Sequence, residues 1–91
     1  MTIAHQIEQK LQAGLHPAKI EIINESYKHR GHAGDNGSGE SHFRVHVVAS
    51  AFVGRSRVER QRAVYALLQD ELQGPVHALA LVTQTPEEAG L

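Results

Sequence analysis

The chain has 91 residues and no cysteine, and its nine lysines and arginines nearly balance ten aspartates and glutamates. This length predicts one small domain. The lack of cysteine excludes a disulfide scaffold, a thiol nucleophile and an iron–sulfur cluster held by thiolates of this chain alone. Seven histidines are the unusual count. A transition metal would need those imidazoles, carboxylates or the groups of a partner.

The charge and hydropathy of the chain also bear on location and partners. No apolar run approaches the roughly 20 residues of a membrane-spanning helix. The first residues, Met1–Glu8, lack the apolar core of a signal peptide. We therefore expect a cytoplasmic protein without membrane contact. A formal net charge of −1 gives no overall basic field for nucleic acid, although a local patch remains open.

Residues 2–14 are predicted to form an amphipathic helix. Thr2 is a suitable N-cap, and Gly14 is expected to end the helix. Apolar side chains recur every four residues and form one stripe: Ile3, Ile7, Leu11 and Leu15.

Two strands are predicted next, at 19–27 and 41–49. The intervening segment 28–40 contains four glycines and no large apolar side chain, so it is expected to be a long exposed loop. In both strands apolar residues alternate with others, which predicts one buried face per strand: Ile20, Ile22, Phe43, Val45 and Val47.

A second helix is predicted from about Ser56 to Gln73. Ser56 and Glu59 have the spacing of a capping box, and Gly74 and Pro75 end the pattern. The side chains expected to face inward follow helical spacing: Val58, Gln61, Val64, Tyr65, Leu68 and Leu72.

Residues 76–83 are predicted to form a third strand. The order is therefore helix, strand, strand, helix, strand. The first two strands are joined by a loop and are expected to be antiparallel, whereas the third follows a helix and is expected to lie parallel to the second. This predicts an α+β fold, a three-stranded mixed sheet with helices on one face. We expect one domain over 1–85 and a flexible tail over 86–91.

That topology predicts where one histidine lies. If the second and third strands are parallel, they begin at the same end of the sheet, so His77 lies beside the loop that carries His29 and His32 and ends near His42. Neighbouring neutral imidazoles suit zinc, copper or iron. Two ligands do not close a site, because structural zinc takes four and catalytic zinc three. The pair fits a site that another molecule completes.

Simpler interpretations of the histidines stay open. Each loop histidine is also typical of a solvated surface residue. His77 alternates with two leucines, so it also fits a hydrogen-bonded histidine at the edge of the core. His42 is a marginal candidate. Three others have no partner that the topology supplies and are interpreted as surface residues: His5, His16 and His46.

Four arginines lie within eight residues at the start of the second helix: Arg55, Arg57, Arg60 and Arg62. Guanidinium groups and helix N–H groups favour an anion such as phosphate, which makes this segment a candidate nucleic-acid site. The alternative is a solvated helix face whose charge is partly offset by Glu59 and Asp70. No exposed run of aromatic residues offers a stacking surface for bases.

Sequence motifs of catalysis are missing. The chain has no nucleophile-elbow motif, P-loop or dinucleotide fingerprint. No pair of carboxylates has a spacing that argues for a shared pocket. We expect no enzyme activity for the isolated chain.

Several segments together resemble the BolA family, in order from residue 1 to about 85. The Val-His-Ala-Leu-Ala-Leu segment is a hallmark of that family. The matching segments are Asn24-Glu25-Ser26-Tyr27, Ser41-His42-Phe43-Arg44-Val45, Phe52-Val53-Gly54-Arg55-Ser56, Arg60-Gln61-Arg62-Ala63-Val64-Tyr65 and Gly74-Pro75-Val76-His77-Ala78-Leu79-Ala80-Leu81.

The resemblance implies a class II KH-like fold and an accessory role in iron–sulfur chemistry. It implies binding to a monothiol glutaredoxin, with a bridging [2Fe–2S] cluster shared with that protein and glutathione and no cofactor in the isolated chain. Cluster assembly, trafficking or iron and redox regulation would be the role. The family ligands correspond to His77 and to a loop histidine, for which His29 and His32 are the candidates.

The chain departs from the family pattern at one helix position. Many relatives read Arg-His-Arg where this chain has Arg60-Gln61-Arg62, which puts in doubt a binding role for that helix terminus. Some relatives are described as transcriptional regulators, so DNA binding through the arginine segment is the second hypothesis. The chain lacks the Gly-x-x-Gly loop with which KH domains clamp a nucleic-acid backbone. A metal-free adaptor is the third hypothesis.

Overall fold

The computed structural model describes residues 2–26 and 41–91. The predicted order of elements is confirmed, with the second helix divided in two. The elements are α1 (Ile3–Leu15), β1 (Lys19–Asn24), β2 (His42–Val48), a 3₁₀ turn (Ser50–Phe52), α2 (Arg57–Leu67), α3 (Gln69–Gln73) and β3 (Ala78–Gln84). No helix in these two ranges is long and apolar enough to cross a membrane.

The sheet has the predicted mixed topology, with β2 in the centre. β1 pairs with β2 in antiparallel fashion, and β3 pairs with β2 in parallel. Val45 lies opposite Ile22 on one side and Leu81 on the other. The predicted α+β fold is confirmed.

One face of the sheet forms the core with the helices. The predicted inward residues of β2 are buried, whereas Ile20 and Ile22 of β1 are half-buried at the margin of the core. Burial of such side chains supplies the main driving force for folding, about 25 cal/mol per Å² of apolar surface. The buried cluster contains Ile7, Leu11, Leu15, Phe43, Val45, Val47, Ala49, Phe52, Val64, Leu68 and Val76.

Helix α1 begins as predicted and ends differently. The Thr2 side chain caps it by accepting a hydrogen bond from the N–H of His5 at 3.1 Å. The expectation that Gly14 ends the helix is wrong, because the helix continues to Leu15 and His16 adopts the left-handed conformation, at φ 46°. A Cβ at Gly14 would lie 2.6 Å from Cδ1 of Leu67. Gly14 therefore lets α2 approach α1 closely.

Helix α2 carries the predicted capping box. The Ser56 hydroxyl accepts from the N–H of Glu59 at 3.2 Å, and the Glu59 carboxylate accepts from the N–H of Ser56 at 2.7 Å. The helix is interrupted at Leu68, whose N–H is shared between the carbonyls of Val64 and Tyr65 at 3.1 and 3.2 Å. This three-centre bond tightens the last turn and separates α2 from α3.

The predicted inward face of α2 is partly wrong. Val58 is 53% exposed and Tyr65 39% exposed. The buried side is rotated towards Val64 and includes the mostly buried side chains of Arg60 in α2 and Glu71 in α3. Both of those charges are paired across elements, so the apolar pattern alone misses this face.

Residues 85–91 form a turn that is hydrogen-bonded to the rest of the protein. The Glu88 carboxylate accepts from Arg60 Nη1 at 2.7 Å and from the N–H of Thr85 at 2.8 Å. The N–H of Glu88 donates to the Thr85 hydroxyl at 3.2 Å. The proposed division of the chain at residue 85 stays a prediction.

Candidate metal centre at one end of the sheet

One end of the sheet gathers the candidate ligands. β1 ends there at Asn24, and β2 and β3 begin there because they are parallel. The N–H of His77 donates to the carbonyl of Ser41 at 2.8 Å, immediately before the first paired residues of the two strands. His77 therefore lies beside the start of β2, where topology expects it.

The side chain next to His77 is that of His42. The two imidazole centroids lie 5.4 Å apart, with ring planes tilted by 48°. His77 is exposed, whereas His42 is only 5% exposed. Sequence reasoning treats His42 as marginal. The register between β2 and β3 identifies His42 as the neighbour of His77, because His42 lies opposite Ala78, the residue after His77.

A hydrogen bond fixes the orientation of the His42 ring. Nδ1 of His42 lies 2.8 Å from the Ser41 hydroxyl, and both groups are buried. A hydroxyl can serve either tautomer as donor or acceptor, so the bond holds the ring in both neutral forms. Such a bond on one ring nitrogen is the usual device for orienting a metal-binding histidine.

The Ser26 hydroxyl joins the two ends of the stretch 27–40. It accepts from the N–H of Ser41 at 2.9 Å and from the N–H of His42 at 3.0 Å, and it donates to the His42 carbonyl at 3.4 Å. Ser26 and Ser41 are both buried. The residues on which that stretch begins and ends are thus held together next to His77.

The two loop histidines predicted as ligands, His29 and His32, lie outside the described residues. Over 2–26 and 41–91, no group of three or more histidines, aspartates and glutamates is arranged to hold a metal ion. What this part of the chain offers is a pair of imidazoles, one exposed and one oriented. Such a donor set fits a site that further ligands complete and does not fit a closed one.

The remaining histidines lie elsewhere. His5 and His16 are exposed on and after α1, as predicted for surface residues. His46 is half-buried and forms a 2.6 Å hydrogen bond between its Nε2 and Oε1 of Gln84. In the sheet register His46 lies opposite Val82, five residues along the chain from His77.

The arginine segment lies at the opposite end of the sheet. Arg60 Nη1 is 3.4 Å from the carbonyl of Thr83, near the end of β3, and β3 spans roughly 20 Å from its beginning. The other three predicted arginines, Arg55, Arg57 and Arg62, are exposed.

Arg60 differs from the other arginines because it is held in place. Its side chain is 12% exposed, pairs with Glu88 and donates through Nε to the carbonyl of Arg55 at 3.1 Å. The guanidinium also lies 5.9 Å from the ring centroid of Phe52. The hydrogen bond from Arg60 lowers the pKa of Glu88 below its ordinary value. Arg60 therefore serves the packing of residues 85–91.

Several known proteins are similar in amino-acid sequence to nearly the whole of this chain. A protein of Sinorhizobium described as "Uncharacterized protein in cobS 5′ region" is 49% identical over 89 residues, covering 97% of this chain and 96% of its own. The "DNA-binding transcriptional regulator BolA" of Escherichia coli is 43% identical over 88 residues, covering 97% of this chain and 80% of its own. SufE-like protein 1 of Arabidopsis thaliana is 46% identical over 87 residues, which are 91% of this chain but 24% of that protein.

Solved structures agree with these relatives. BolA1 and the BolA domain of SufE1, both from Arabidopsis thaliana, each superpose with a TM-score of 0.87 at 42% identity, covering 97% of this chain and 96% of theirs. The solution structure of yeast Fra2 superposes with a TM-score of 0.67 at 28% identity, covering 98% of this chain and 84% of its own. The sequence model of the "BolA-like protein" family matches residues 11–88. This chain belongs to the BolA family.

Proposed function

We propose that this BolA-family protein binds a monothiol glutaredoxin and co-ligates a [2Fe–2S] cluster that bridges the two proteins. His77 is one proposed ligand, and His29 or His32 is the other. The glutaredoxin and glutathione supply the thiolates that this chain lacks. The proposed role is cluster assembly, trafficking or iron and redox regulation in the cytoplasm, without a reaction catalysed by this chain.

The observation that carries the proposal is the exposed imidazole of His77 at the end of the sheet from which the stretch 27–40 departs and to which it returns. Ser26 and Ser41 hold the ends of that stretch beside His77. Along the chain, His29 and His32 lie three and six residues after Ser26. The His42 ring lies beside that of His77, with centroids 5.4 Å apart, so we assign His42 a positioning role.

The donor set fits the proposed group. Imidazole is an established ligand of iron in [2Fe–2S] centres, where two histidines on one iron make the cluster less negative and raise its reduction potential. Two histidines can ligate only one iron of such a cluster, so other groups must hold the second iron. A donor set of His77 and one loop histidine would thus leave the second iron to thiolates of another protein, as a shared cluster requires.

Mixing the protein with a cluster-loaded monothiol glutaredoxin tests the proposal. We expect the visible absorption and circular dichroism of the cluster to change, and iron and sulfide to co-purify with the complex. His77→Ala should abolish that spectral change, whereas His5→Ala, which removes another exposed histidine, should leave it intact. Separate His29→Ala and His32→Ala variants identify the second ligand. An unchanged spectral response in His77→Ala would show that the assignment is wrong.

A second function, DNA-binding regulation, is favoured by two observations. The Escherichia coli relative carries that description, and three arginines of the segment 55–62 are exposed here. Binding of a DNA duplex would have to weaken steeply with salt, because each neutralised phosphate releases counterions. Anisotropy titrations of an Arg57→Ala/Arg62→Ala variant test this idea. Affinity equal to that of the parent at low salt would contradict it.

A further inference from the structure

Among residues 2–26 and 41–91, no strand pairs with the outer side of β3. It is the last strand in the order β1-β2-β3, and its seven residues, Ala78–Gln84, contain no charge and no proline. Natural proteins usually protect an edge strand with charges, proline or bulges, because its open backbone groups pair readily with another chain. The other edge strand, β1, has such protection in the exposed side chains of Lys19 and Glu21.

The register shows which backbone groups of β3 point outward. The carbonyl of Gln84 accepts from the N–H of Ala49, so Gln84 faces β2. Backbone groups of successive strand residues point to opposite neighbours. The outward residues are therefore Leu79, Leu81 and Thr83. The bond from Arg60 to the carbonyl of Thr83 confirms this direction independently.

A groove borders the second half of this edge. It has a volume of about 400 Å³ and lies between the start of α2 and β3. Arg57 and Arg60 line it on the helix side, and Leu81 and Thr83 on the strand side. Arg60 is paired with Glu88, which also lines the groove, whereas the guanidinium of exposed Arg57 has no ion pair in the described part of the chain. The open end of the groove thus carries a net positive charge.

We propose that the β3 edge binds an extended segment of another protein as a fourth strand, with an acidic side chain of that segment paired to Arg57. Main-chain hydrogen bonds to Leu79, to Leu81 and to the N–H of Thr83, whose carbonyl already accepts from Arg60, supply affinity. The arginine at one end supplies preference for an acidic segment. A second copy of this chain fits less well, because its own β3 has no acidic residue to offer. The inference does not depend on the proposed cluster.

The test uses the metal-free full chain and a blocked peptide of alternating valine and threonine with two glutamates at each end. Amide hydrogen exchange measured by NMR should slow by at least about tenfold at Leu79, Leu81 and Thr83 when the peptide is bound. Ala80 and Val82, whose N–H groups already face β2, are the internal reference. No slowing at peptide concentrations up to about 1 mM would overturn the proposal.

Charge variants test the acidic preference. Arg57→Glu should weaken binding of this peptide about 3- to 10-fold, as expected for loss and reversal of an exposed ion pair. Arg62→Glu changes the net charge of the same helix equally and should alter affinity less than about twofold. Equal effects of the two variants, or equal binding of a peptide with lysines at its ends, would contradict the role of Arg57.

Protection of the outward amides without peptide, in a protein that sediments as a dimer, would make a second copy the occupant and overturn the proposed partner.

Discussion

At the scale of single residues, the Ser26 hydroxyl uses its whole hydrogen-bonding capacity. It accepts twice and donates once, all to backbone groups at the start of β2. Ser26→Ala should lower the free energy of unfolding by about 1–3 kcal/mol, because two buried N–H groups lose their acceptor. Urea unfolding followed by circular dichroism measures the loss.

Ser50→Ala is the matched control, because Ser50 is exposed and no side-chain hydrogen bond to it is found among the described residues. We expect its unfolding free energy to stay within about 0.5 kcal/mol of the parent. A loss in Ser26→Ala no larger than in Ser50→Ala would show that the hydroxyl does not hold the ends of the stretch 27–40.

His16 presents the opposite case, a residue whose replacement is expected to stabilise the protein. Its left-handed conformation suits glycine, which lacks the Cβ that makes this region costly. His16→Gly should raise the free energy of unfolding by about 0.5–1 kcal/mol. Thermal and urea unfolding should agree in sign.

The control for His16 lies on the same helix. His5→Gly places glycine within α1, where it should cost about 1 kcal/mol. If both glycine variants are destabilised equally, the backbone at residue 16 is not left-handed in solution.

The candidate site was predictable at one residue and not at its neighbour. The position of His77 follows from topology, because a crossover helix makes β2 and β3 parallel and brings their starts together. The contact with His42 depends on the register between β2 and β3, in which His42 lies opposite Ala78. A shift of that register by one residue would turn the side chain to the other face of the sheet. Sequence alternation gives the faces of β2, but it does not give the register between two strands.

At the scale of elements, α2 depends on its capping box. Ser56→Ala removes the acceptor for the N–H of Glu59 and should cost about 1 kcal/mol of unfolding free energy. The N–H of Ser56 donates to the Glu59 carboxylate and thereby lowers the pKa of Glu59 below 4.5. A carboxyl whose pKa is lower in the folded state stabilises the protein above its ordinary pKa, and this stabilisation is lost as the pH falls through the lowered value.

Comparison of Glu59→Gln with the parent over a pH series checks this sign. The variant should be less stable at neutral pH, and the difference should shrink as the pH falls below about 4.5. Glu8→Gln, an exposed change on α1, provides the control. A difference between Glu59→Gln and the parent that does not vary with pH would contradict the charged capping interaction.

The second predicted helix, which forms α2 and α3 in the structure, was predictable only in part. Its start was predicted because Ser56 and Glu59 form a local motif. Its buried face was not, because Arg60 and Glu71 lie on it and are neutralised by Glu88 and Lys10, which are distant in sequence. The hydrogen bond to Glu71 also raises the pKa of Lys10. A hydrophobic pattern treats such paired charges as exposed.

At the scale of the whole molecule, the Arg60–Glu88 pair ties residues 85–91 to α2. The pKa of Glu88 is lowered chiefly by the hydrogen bond from Arg60, so unfolding takes up a proton at pH values near and below its ordinary value of 4.5. Glu88→Gln should lower the unfolding midpoint at neutral pH. The difference from the parent should disappear as the pH falls below the ordinary value of 4.5 and through the lowered pKa.

The neighbouring Glu87 serves as the control for Glu88. It is exposed, and no ion pair to it occurs within the described ranges. Glu87→Gln should leave the midpoint nearly unchanged at every pH. If Glu87→Gln and Glu88→Gln behave alike, residues 85–91 are not anchored by this carboxylate.

The architecture as a whole was the most predictable level. Alternating apolar residues in β2 and the order of elements restrict the chain to few packed arrangements. Contacts between charged residues far apart in sequence, such as Arg60 with Glu88, carry no local signal. The sequence alone therefore gives no indication of the hydrogen bonds that Glu88 forms with Arg60 and Thr85.

The Ser26 hydroxyl holds the residues after β1 and those at the start of β2 next to each other. Because Ser26, Ser41 and His42 are hydrogen-bonded to one another, a segment inserted between positions 26 and 41 meets two end points that do not move with its length. The entropy of closing a flexible segment grows only logarithmically, by about 0.6 kcal/mol per doubling. Segments of different length can therefore join β1 to β2 at this end of the sheet without a change of strand register.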